Sequence, residues 1–425
     1  MIRMGYHKIL VVLALFVVGF GAGFLLIKGN AEPIEPRRVG VIGATTSHVP
    51  AFVQLFNDPR AGEPFDRYKI VAAYAGGMPD NPDSWDRMPG YVQGLQEAKI
   101  TLYPTIEAML EHVDYVLLTS VDGRPHLEQA KPVIAAGKPL FIDKPMAGSL
   151  ADVLEIFRLA EENNVPVFSA SSLRYSEGFQ KMRNEKPLGE IYGCEAFSPC
   201  SYNDKHPDFF WYGVHGVETL FTIMGTGCQT VARTHAESAD LAVGVWKDGR
   251  IGVFRGTRQG PHDYGAYVWA EKGAASAGKY DGYKGLAVDI CHFFDKGKPS
   301  FDRQETIEMF AFMEAADISR ERGGCPVSLE EALNRTKSEV PVRVEIVIPT
   351  NFGEMSEKTV RFNGETLPVT NIRDKVNELK ASDPQVVVKV ILRSEKGVSI
   401  ENVRLVTDQL NDAYLANYLY EADFL

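Results

Sequence analysis

Cysteine is scarce in this chain and poorly placed to build anything. Five are scattered over 425 residues (Cys194, Cys200, Cys228, Cys291 and Cys325), with no C-x-x-C pair and no zinc-like spacing. An odd, dispersed set argues for buried or free thiols rather than a disulfide framework, and it gives no indication of compartment. Basic residues are also in deficit, 45 Lys and Arg against 56 Asp and Glu, for a net charge of −11. That balance argues against nucleic-acid binding, which needs basic surface to neutralise phosphates. Low-complexity segments and internal repeats are missing too. Glycine is missing at two positions where a familiar pattern asks for it. "VGVIGATTSHVPAF" (39–52) begins as a buried strand running into a tight turn at Gly43, with Pro50 suited to the first turn of a helix. The dinucleotide pattern G-x-G-x-x-G would place glycines at 45 and 48, where this chain has Thr45 and His48.

What is present begins with ordinary globular composition, 45% hydrophobic and 24% charged, over a length that allows two or three domains. Residues 9–27, "ILVVLALFVVGFGAGFLLI", form an uncharged run between Lys8 and Lys28. As a helix it would be about 28 Å long, close to the ~30 Å hydrocarbon core of a bilayer. The spacing predicts an N-terminal transmembrane anchor within residues 1–30, in preference to a cleaved signal peptide, whose apolar core is usually shorter. Basic residues on both flanks leave its orientation open.

Beyond a Pro-rich tether, residues 38–148 alternate strand-like and helix-like stretches. "KIVAAYAGG", "VDYVLLTS" and "PLFID" read as buried parallel strands. The α/β alternation predicts a doubly wound parallel sheet with its site at the carboxyl ends of the strands. "SLADVLEIFRLAEENN" opens with Ser149 and Asp152 in a capping-box-like arrangement. Residues 149–335 turn β-rich, with a hairpin turn at Asp248-Gly249, and predict a mostly antiparallel open sheet with helices packed on it. A third unit, 338–425, reads as a small α/β domain: a half-buried strand in "PVRVEIVIP", a turn at Asn363-Gly364, a helix, the strand "VVVKVIL" and a last amphipathic helix.

A strand, a turn and one glycine do not specify a dinucleotide site on their own. "AAGKPLFIDKPMAGS" adds to them, because it places Asp143-Lys144-Pro145 just past a buried strand on the same sheet edge as Gly43. A lysine there can donate to a substrate oxygen and lower the barrier to hydride loss. Without the surrounding pattern it reads as a solvated loop lysine.

With these stretches the chain resembles the Gfo/Idh/MocA oxidoreductases over roughly residues 38–333. "RRVGVIGA", "AAGKPLFIDKPMAGS" (for A-x-G-K-x-x-x-x-E-K-P), "SSLRYSEGFQKM", "PLGEIYG", "GVHGVETLFTIMG" and "AFMEAADISRERGGCPVSL" follow in the family's order. The resemblance implies a Rossmann-type domain, a second α/β domain whose open sheet often makes oligomer contacts, and NAD or NADP as cofactor for sugars, polyols and related compounds. It places Gly43, Thr45, Thr46 and Ser47 on the pyrophosphate turn, and Ser120 to His126 beside the nicotinamide. Asp143, Lys144 and Pro145 stand on the family's E-K-P. Lys144 takes the lysine role toward substrate and cofactor, and His215 that of a proton-transfer partner.

Three departures stand against the family pattern. Thr45 brings a β-branched side chain to the turn, although the helix N-terminus and the hydroxyls of Thr45, Thr46 and Ser47 still offer donors. The second strand ends in glycines, with no carboxylate for the ribose, so neither NAD nor NADP is indicated. The family's aspartate position is Trp211, which could stack on a sugar face or simply be core, leaving Asp208 or Glu218 to substitute. His215 and Glu218 lie three residues apart on a helix, but no third ligand is visible and no metal site is assigned. Arg174 reads equally as an anion anchor or as an interdomain salt-bridge partner. The polar stretch 76–91 reads as a long loop near the cofactor edge, either a lid or structural.

More loosely, the C-terminal unit resembles the periplasmic domain of ExbD/TolR proteins, in "NGETLPV", a helix, "PQVVV", a strand and a helix. That implies an interaction module with a protein partner, and a body outside the cytoplasm. The expectation is a membrane-anchored NAD(P)-dependent oxidoreductase of a carbohydrate-like substrate, with Lys144 and His215 catalytic and Arg174 and Trp211 binding substrate. The competing expectation is a ligand-binding or scaffold protein that has lost turnover.

Overall fold

The structure is a computed structural model and describes residues 35–338, 340–382, 385–410 and 418–422. Residues Pro36–Leu425 form one compact unit built on three sheets. The first contains β1 (Arg37–Ile42), β2 (Tyr68–Tyr74), β3 (Thr101–Leu102), β4 (Tyr115–Leu118), β5 (Leu140–Asp143) and β6 (Val167–Ala170). All its pairings are parallel, in the order β3-β2-β1-β4-β5-β6. The order therefore reverses between β1 and β4, which opens a crevice at their carboxyl ends. Both faces are covered, so the middles of the strands are apolar and polar residues such as Arg37, Lys69 and Asp143 fall near their ends. Val41, Leu117 and Phe141 pack with Phe52 and Phe293 on one side, while Ile42, Leu118 and Ile142 face the core shared with the second sheet. The helix Leu150–Glu162 starts as expected, with Ser149 Oγ accepting from Asp152 N at 3.2 Å, a cap worth about 1 kcal/mol.

The second sheet holds β7 (Ile191–Pro199), β8 (Cys228–His235), β9 (Ala239–Trp246), β10 (Ile251–Thr257), β11 (Gly265–Ala270), β12 (Gly273–Lys279) and β13 (Val327–Ser328). Its order is β12-β11-β7-β10-β9-β8-β13, antiparallel except where β7 meets β10. Gly249, at φ +85°, turns β9 into β10. The helices Val214–Met224 and Arg303–Glu321 belong to the core on its inner face. The third sheet, over 340–422, has five strands and buries Val344, Ile346, Val388 and Val390 beneath the helices Ile372–Ala381 and Ile400–Leu410. Met78, from the segment after β2, is buried in that same core.

Two expectations need correction. The fold class was expected to include a transmembrane helix. Among the described residues no helix is long and apolar enough to cross a membrane, and the run 9–27 lies outside the described residues. The stretch 76–91, expected as an extended polar loop, is largely helical. Asn81 caps a short helix Pro82–Trp85 by accepting from Asp83 N, and Met88 starts a second helix that runs to Glu97. Pro82 and Pro89 stand at the starts of these helices, where a missing N–H costs nothing.

Candidate active site

The turn after β1 is built on Gly43. Its φ is +92°, and a Cβ there would lie 2.4 Å from the backbone N of Ser120. Gly43 N donates to Tyr74 O (2.9 Å) and Ala44 N to Ala75 O (2.6 Å). Thr119 Oγ1 donates to Gly43 O at 2.9 Å. Thr45 is fully buried, and its hydroxyl accepts from Val121 N at 2.9 Å. At the second glycine position, therefore, a side chain joins the β1 turn to the loop after β4. Only then does the helix His48–Asn57 begin, with Ser47 exposed at its cap.

The segment after β2 crosses this turn. Gly76 lies against Gly43, and Asp80 accepts two hydrogen bonds of 2.9 Å from Arg124. Asn81 Nδ2 donates to Asp122 Oδ2, and His206 Nε2 meets Asp122 Oδ1 at 2.8 Å. Burial alone would raise the Asp122 carboxyl, but Arg124 and His206 outweigh it and hold it well below the usual range.

Beyond β5, Asp143 Oδ1 accepts from Lys144 N at 2.9 Å. Burial pulls the Lys144 ammonium below its ordinary value, with Asp143 partly opposing, and its Nζ lies 5.4 Å from the Tyr212 ring centre. His215, on the helix Val214–Met224, pairs through Nδ1 with Ser171 Oγ at 2.9 Å. Burial, then the positive Lys144 and then His48, push its pKa well below the ordinary imidazole value. It is neutral at physiological pH.

These groups meet in a cavity of about 160 Å³ at the carboxyl edge of the first sheet. Of the residues named from sequence, Thr46, Ser47, Lys144, Trp211 and His215 line it. The rest stand behind it. His126 is buried between Ser120 O (2.9 Å) and Met146 O (3.2 Å), tying the β4 and β5 loops together, and Ser120 Oγ donates to Gln129. Pro145 packs where a Cβ on Gly123 would fall. Arg174 is held by Glu218 and Glu305, both within the 149–335 region rather than across domains, and its guanidinium lies 3.9 Å over the Phe301 ring. Glu218 is thereby committed to Arg174 and to Ser171 N, and Asp208 to Arg233 and Arg320. Neither stands in for the missing family aspartate. Trp211, its ring centre 4.7 Å from that of His206 and tilted 38° to it, sits within a wide π-helical turn at Phe209–Gly213.

Sequence reasoning missed five residues, Tyr212 beside Lys144 among them. His48, noted only as an absent glycine, lines the cavity, with Nδ1 against Asp143 Oδ2 though off the line of a good hydrogen bond. Tyr264, Tyr280 and Tyr283 wall the opposite side, and the Tyr283 hydroxyl bonds with Tyr280 and Ser47. The tyrosine cluster in "DYGAY" and "KYDGYKG" was the available signal.

Residues 37–171 match the family described as the GFO_IDH_MocA oxidoreductases, with an NAD-binding Rossmann fold. The protein YMR315W of Saccharomyces cerevisiae is 26% identical over 150 residues, 33% of this chain and 38% of that protein. The oxidoreductase YhhX of Escherichia coli is 27% identical over 121 residues, 26% of this chain and 34% of that protein. The matched stretches thus span little more than a third of these relatives' lengths. Among solved structures, a scyllo-inositol dehydrogenase of Lactobacillus casei with bound NAD(H) and scyllo-inositol aligns with a TM-score of 0.56. The alignment has 12% identity and covers 70% of this chain and 100% of that one, a likeness of fold. With the parallel sheet and its switch point, residues 37–171 are similar to the NAD-binding Rossmann fold described for the Gfo/Idh/MocA oxidoreductases.

Proposed function

We propose that the protein is an NAD(P)-dependent oxidoreductase acting on a single-ring polyol or sugar-like compound. The observation that carries this reading is the meeting of Lys144 and His215 in one aromatic-walled cavity at the switch point of the sheet. Its ~160 Å³ suits one compact ring, and Trp211, Tyr212, Tyr264 and Tyr280 offer apolar faces and hydroxyls to such a ring. The dehydrogenase of similar fold that binds scyllo-inositol supports the same substrate class.

Bound NAD or NADP would supply the hydride acceptor. The Gly43 turn, the hydroxyls of Thr46 and Ser47, and the N-terminus of the helix His48–Asn57 fit its phosphates. The end of β2 carries no free carboxylate to choose between the two cofactors, since Asp80 is held by Arg124. Lys144 Nζ donates to the substrate oxygen and stabilises negative charge growing there. Neutral His215 shares a hydrogen bond with a substrate hydroxyl, and the tyrosines exclude water from the cavity.

A second reading, a ligand-binding protein without turnover, is favoured by one observation: the segment Ala75–Asn81 bridges the crevice above Gly43. Calorimetric titration with NAD, NADH, NADP and NADPH, followed by a screen of polyols and sugars for nucleotide reduction, separates the two. Substrate-dependent reduction establishes the oxidoreductase. Ligand binding without any nucleotide binding establishes the alternative.

A further inference from the structure

At the third position of the glycine pattern this chain places an imidazole in the cavity, and its surroundings are built. Asp143 Oδ1 is pinned by Lys144 N at 2.9 Å, which leaves Oδ2 facing His48 Nδ1. The ring is held 4.6 Å from Tyr283 and edge-on to Phe52 at 6.3 Å. His48 Nδ1 touches Asp143 Oδ2 off the line of a good hydrogen bond; a hydrogen carried on Nδ1 faces that carboxylate and leaves a lone pair on Nε2, as in a base beside its orienter. His215 differs, because its Nδ1 pairs with a hydroxyl and Glu218, one turn on, is committed to Arg174.

We infer that His48 takes the substrate's hydroxyl proton, with Asp143 as its positioning residue. The inference rests on the oxidoreductase reading of this cavity. In the step, the substrate carbon loses hydride to an oxidised nicotinamide dinucleotide, the O–H proton passes to His48 Nε2, and the C–O bond becomes C=O. The carbon is oxidised by two electrons, the dinucleotide is reduced by two, and the proton leaves to solvent when His48 resets. His48 is faced by Asp143 and Lys144 from the end of β5, His215 from the helix Val214–Met224, and Tyr283 from the start of the helix Lys284–Lys296. Asp83 and Arg87 lie in the same cavity wall.

The test uses the full chain carrying His48→Gly, with His48→Gln as a less disruptive second variant. The expected result is a fall in kcat of about 10²-fold or more, with nucleotide Kd changed by no more than about threefold. Added imidazole should restore turnover in the glycine variant by about tenfold. A kcat near wild type in both variants, or an equal loss in nucleotide affinity, overturns the inference. Nitrogen-15 resonances of the imidazoles provide a readout independent of turnover. His48 should carry its hydrogen on Nδ1, and Asp143→Asn should shift that balance. A hydrogen on Nε2, or indifference to Asp143→Asn, overturns the pair. A wild type that shows the Asp143-dependent tautomer but couples no substrate to NAD(P) refutes the oxidoreductase reading and leaves the base and its orienter standing.

Discussion

Arg124 reaches across the end of the first sheet and grips Asp80 with two hydrogen bonds of 2.9 Å, so the segment after β2 is fastened to the loop after β4. The other side of that segment is fastened too. Met78 is buried in the core of the third sheet, Arg404 Nε donates to Pro79 O at 3.3 Å, and Arg404 pairs with Asp86 at 3.2 Å. Thr45, bonded to Val121 N, closes the gap beneath. The segment bordering the crevice where a dinucleotide lies in this fold is therefore fastened on both sides, and the C-terminal sheet supplies one of the fastenings.

Loosening this fastening should speed cofactor entry. Asp80→Asn keeps the shape but removes one charge from the bidentate pair, at a cost of about 1.5–3 kcal/mol if the bonds are lost. A loss of about 1.4 kcal/mol from the closed state corresponds to a tenfold faster association of NADH. Stopped-flow nucleotide fluorescence measures this, and equal rates in the two proteins would show that the segment is no barrier.

Lys144 is buried and its pKa is lowered, first by desolvation, so the folded state holds its proton less firmly than the unfolded chain does. Between its folded pKa and 10.5 the unfolded state binds more protons, and stability rises with pH across that window. Lys144→Met should raise stability at neutral pH by about 1 kcal/mol, an advantage that shrinks as pH approaches 10.5. The same change should lower kcat by about 10²-fold through loss of the donor to the substrate oxygen. Denaturant midpoints across pH and steady-state rates check both halves. A destabilised Met variant would contradict the desolvation argument.

His215 makes the opposite test on the acid side. Its pKa is pushed well below 6.5, so the unfolded chain takes up a proton as pH falls through 6.5 while the folded protein does not. Stability should therefore decline below that pH, and His215→Asn should flatten the decline. Melting temperatures at pH 7 and pH 5 supply the comparison. A slope unchanged by the substitution would mean that other groups control acid stability.

The parallel sheet, the capped helix at Leu150 and the mixed second sheet were legible because their signals are local: apolar runs of strand length, a serine at a helix start, an Asp-Gly turn. Lys144 and His215, singled out from their motifs, both line the cavity. The cavity's remaining wall was not legible. His48 was an absence in a glycine pattern, and only its approach to Asp143, 95 positions away, makes it a cavity group. Tyr264, Tyr280 and Tyr283 arrive from between strands and a helix far along the chain. Arg174 could not be assigned until its long-range partners Glu218 and Glu305 were in place, since a buried guanidinium takes its meaning from the carboxylates around it.

The outer face of the second sheet carries a prediction about assembly. Tyr192, Val245, Ile251, Tyr267 and Trp269 are 40–58% exposed, on β7, β9, β10 and β11, which adjoin in the order β11-β7-β10-β9. An apolar patch of this continuity on a strand surface suits a second copy of the chain. Sedimentation should show a concentration-dependent dimer, and Trp269→Lys should shift it to monomer by weakening association at least tenfold, about 1.4 kcal/mol. A monomer at all concentrations in the wild type would remove the expectation.

Gly43 tests whether the turn is dictated by backbone geometry or by a ligand. Its φ of +92° is one that side chains rarely adopt, and an added Cβ would press on the backbone of Ser120 at 2.4 Å. The obstacle is main chain, held in place by Thr119 N donating to Ile42 O at 2.7 Å, so it cannot turn aside as a flexible side chain would. Gly43→Ala should therefore cost about 3 kcal/mol or more, adding backbone strain to overpacking. Thr45→Gly, two residues on, should lose only the hydroxyl bond to Val121 N and some chain entropy, about 1–2 kcal/mol, while widening the crevice. Chemical denaturation of both variants, with nucleotide titration of the second, decides the matter. If Gly43→Ala is as stable as wild type, the β1 turn is not the tight junction described. If Thr45→Gly binds NAD(H) more tightly than wild type, the threonine is a restraint on the cofactor rather than a ligand for it.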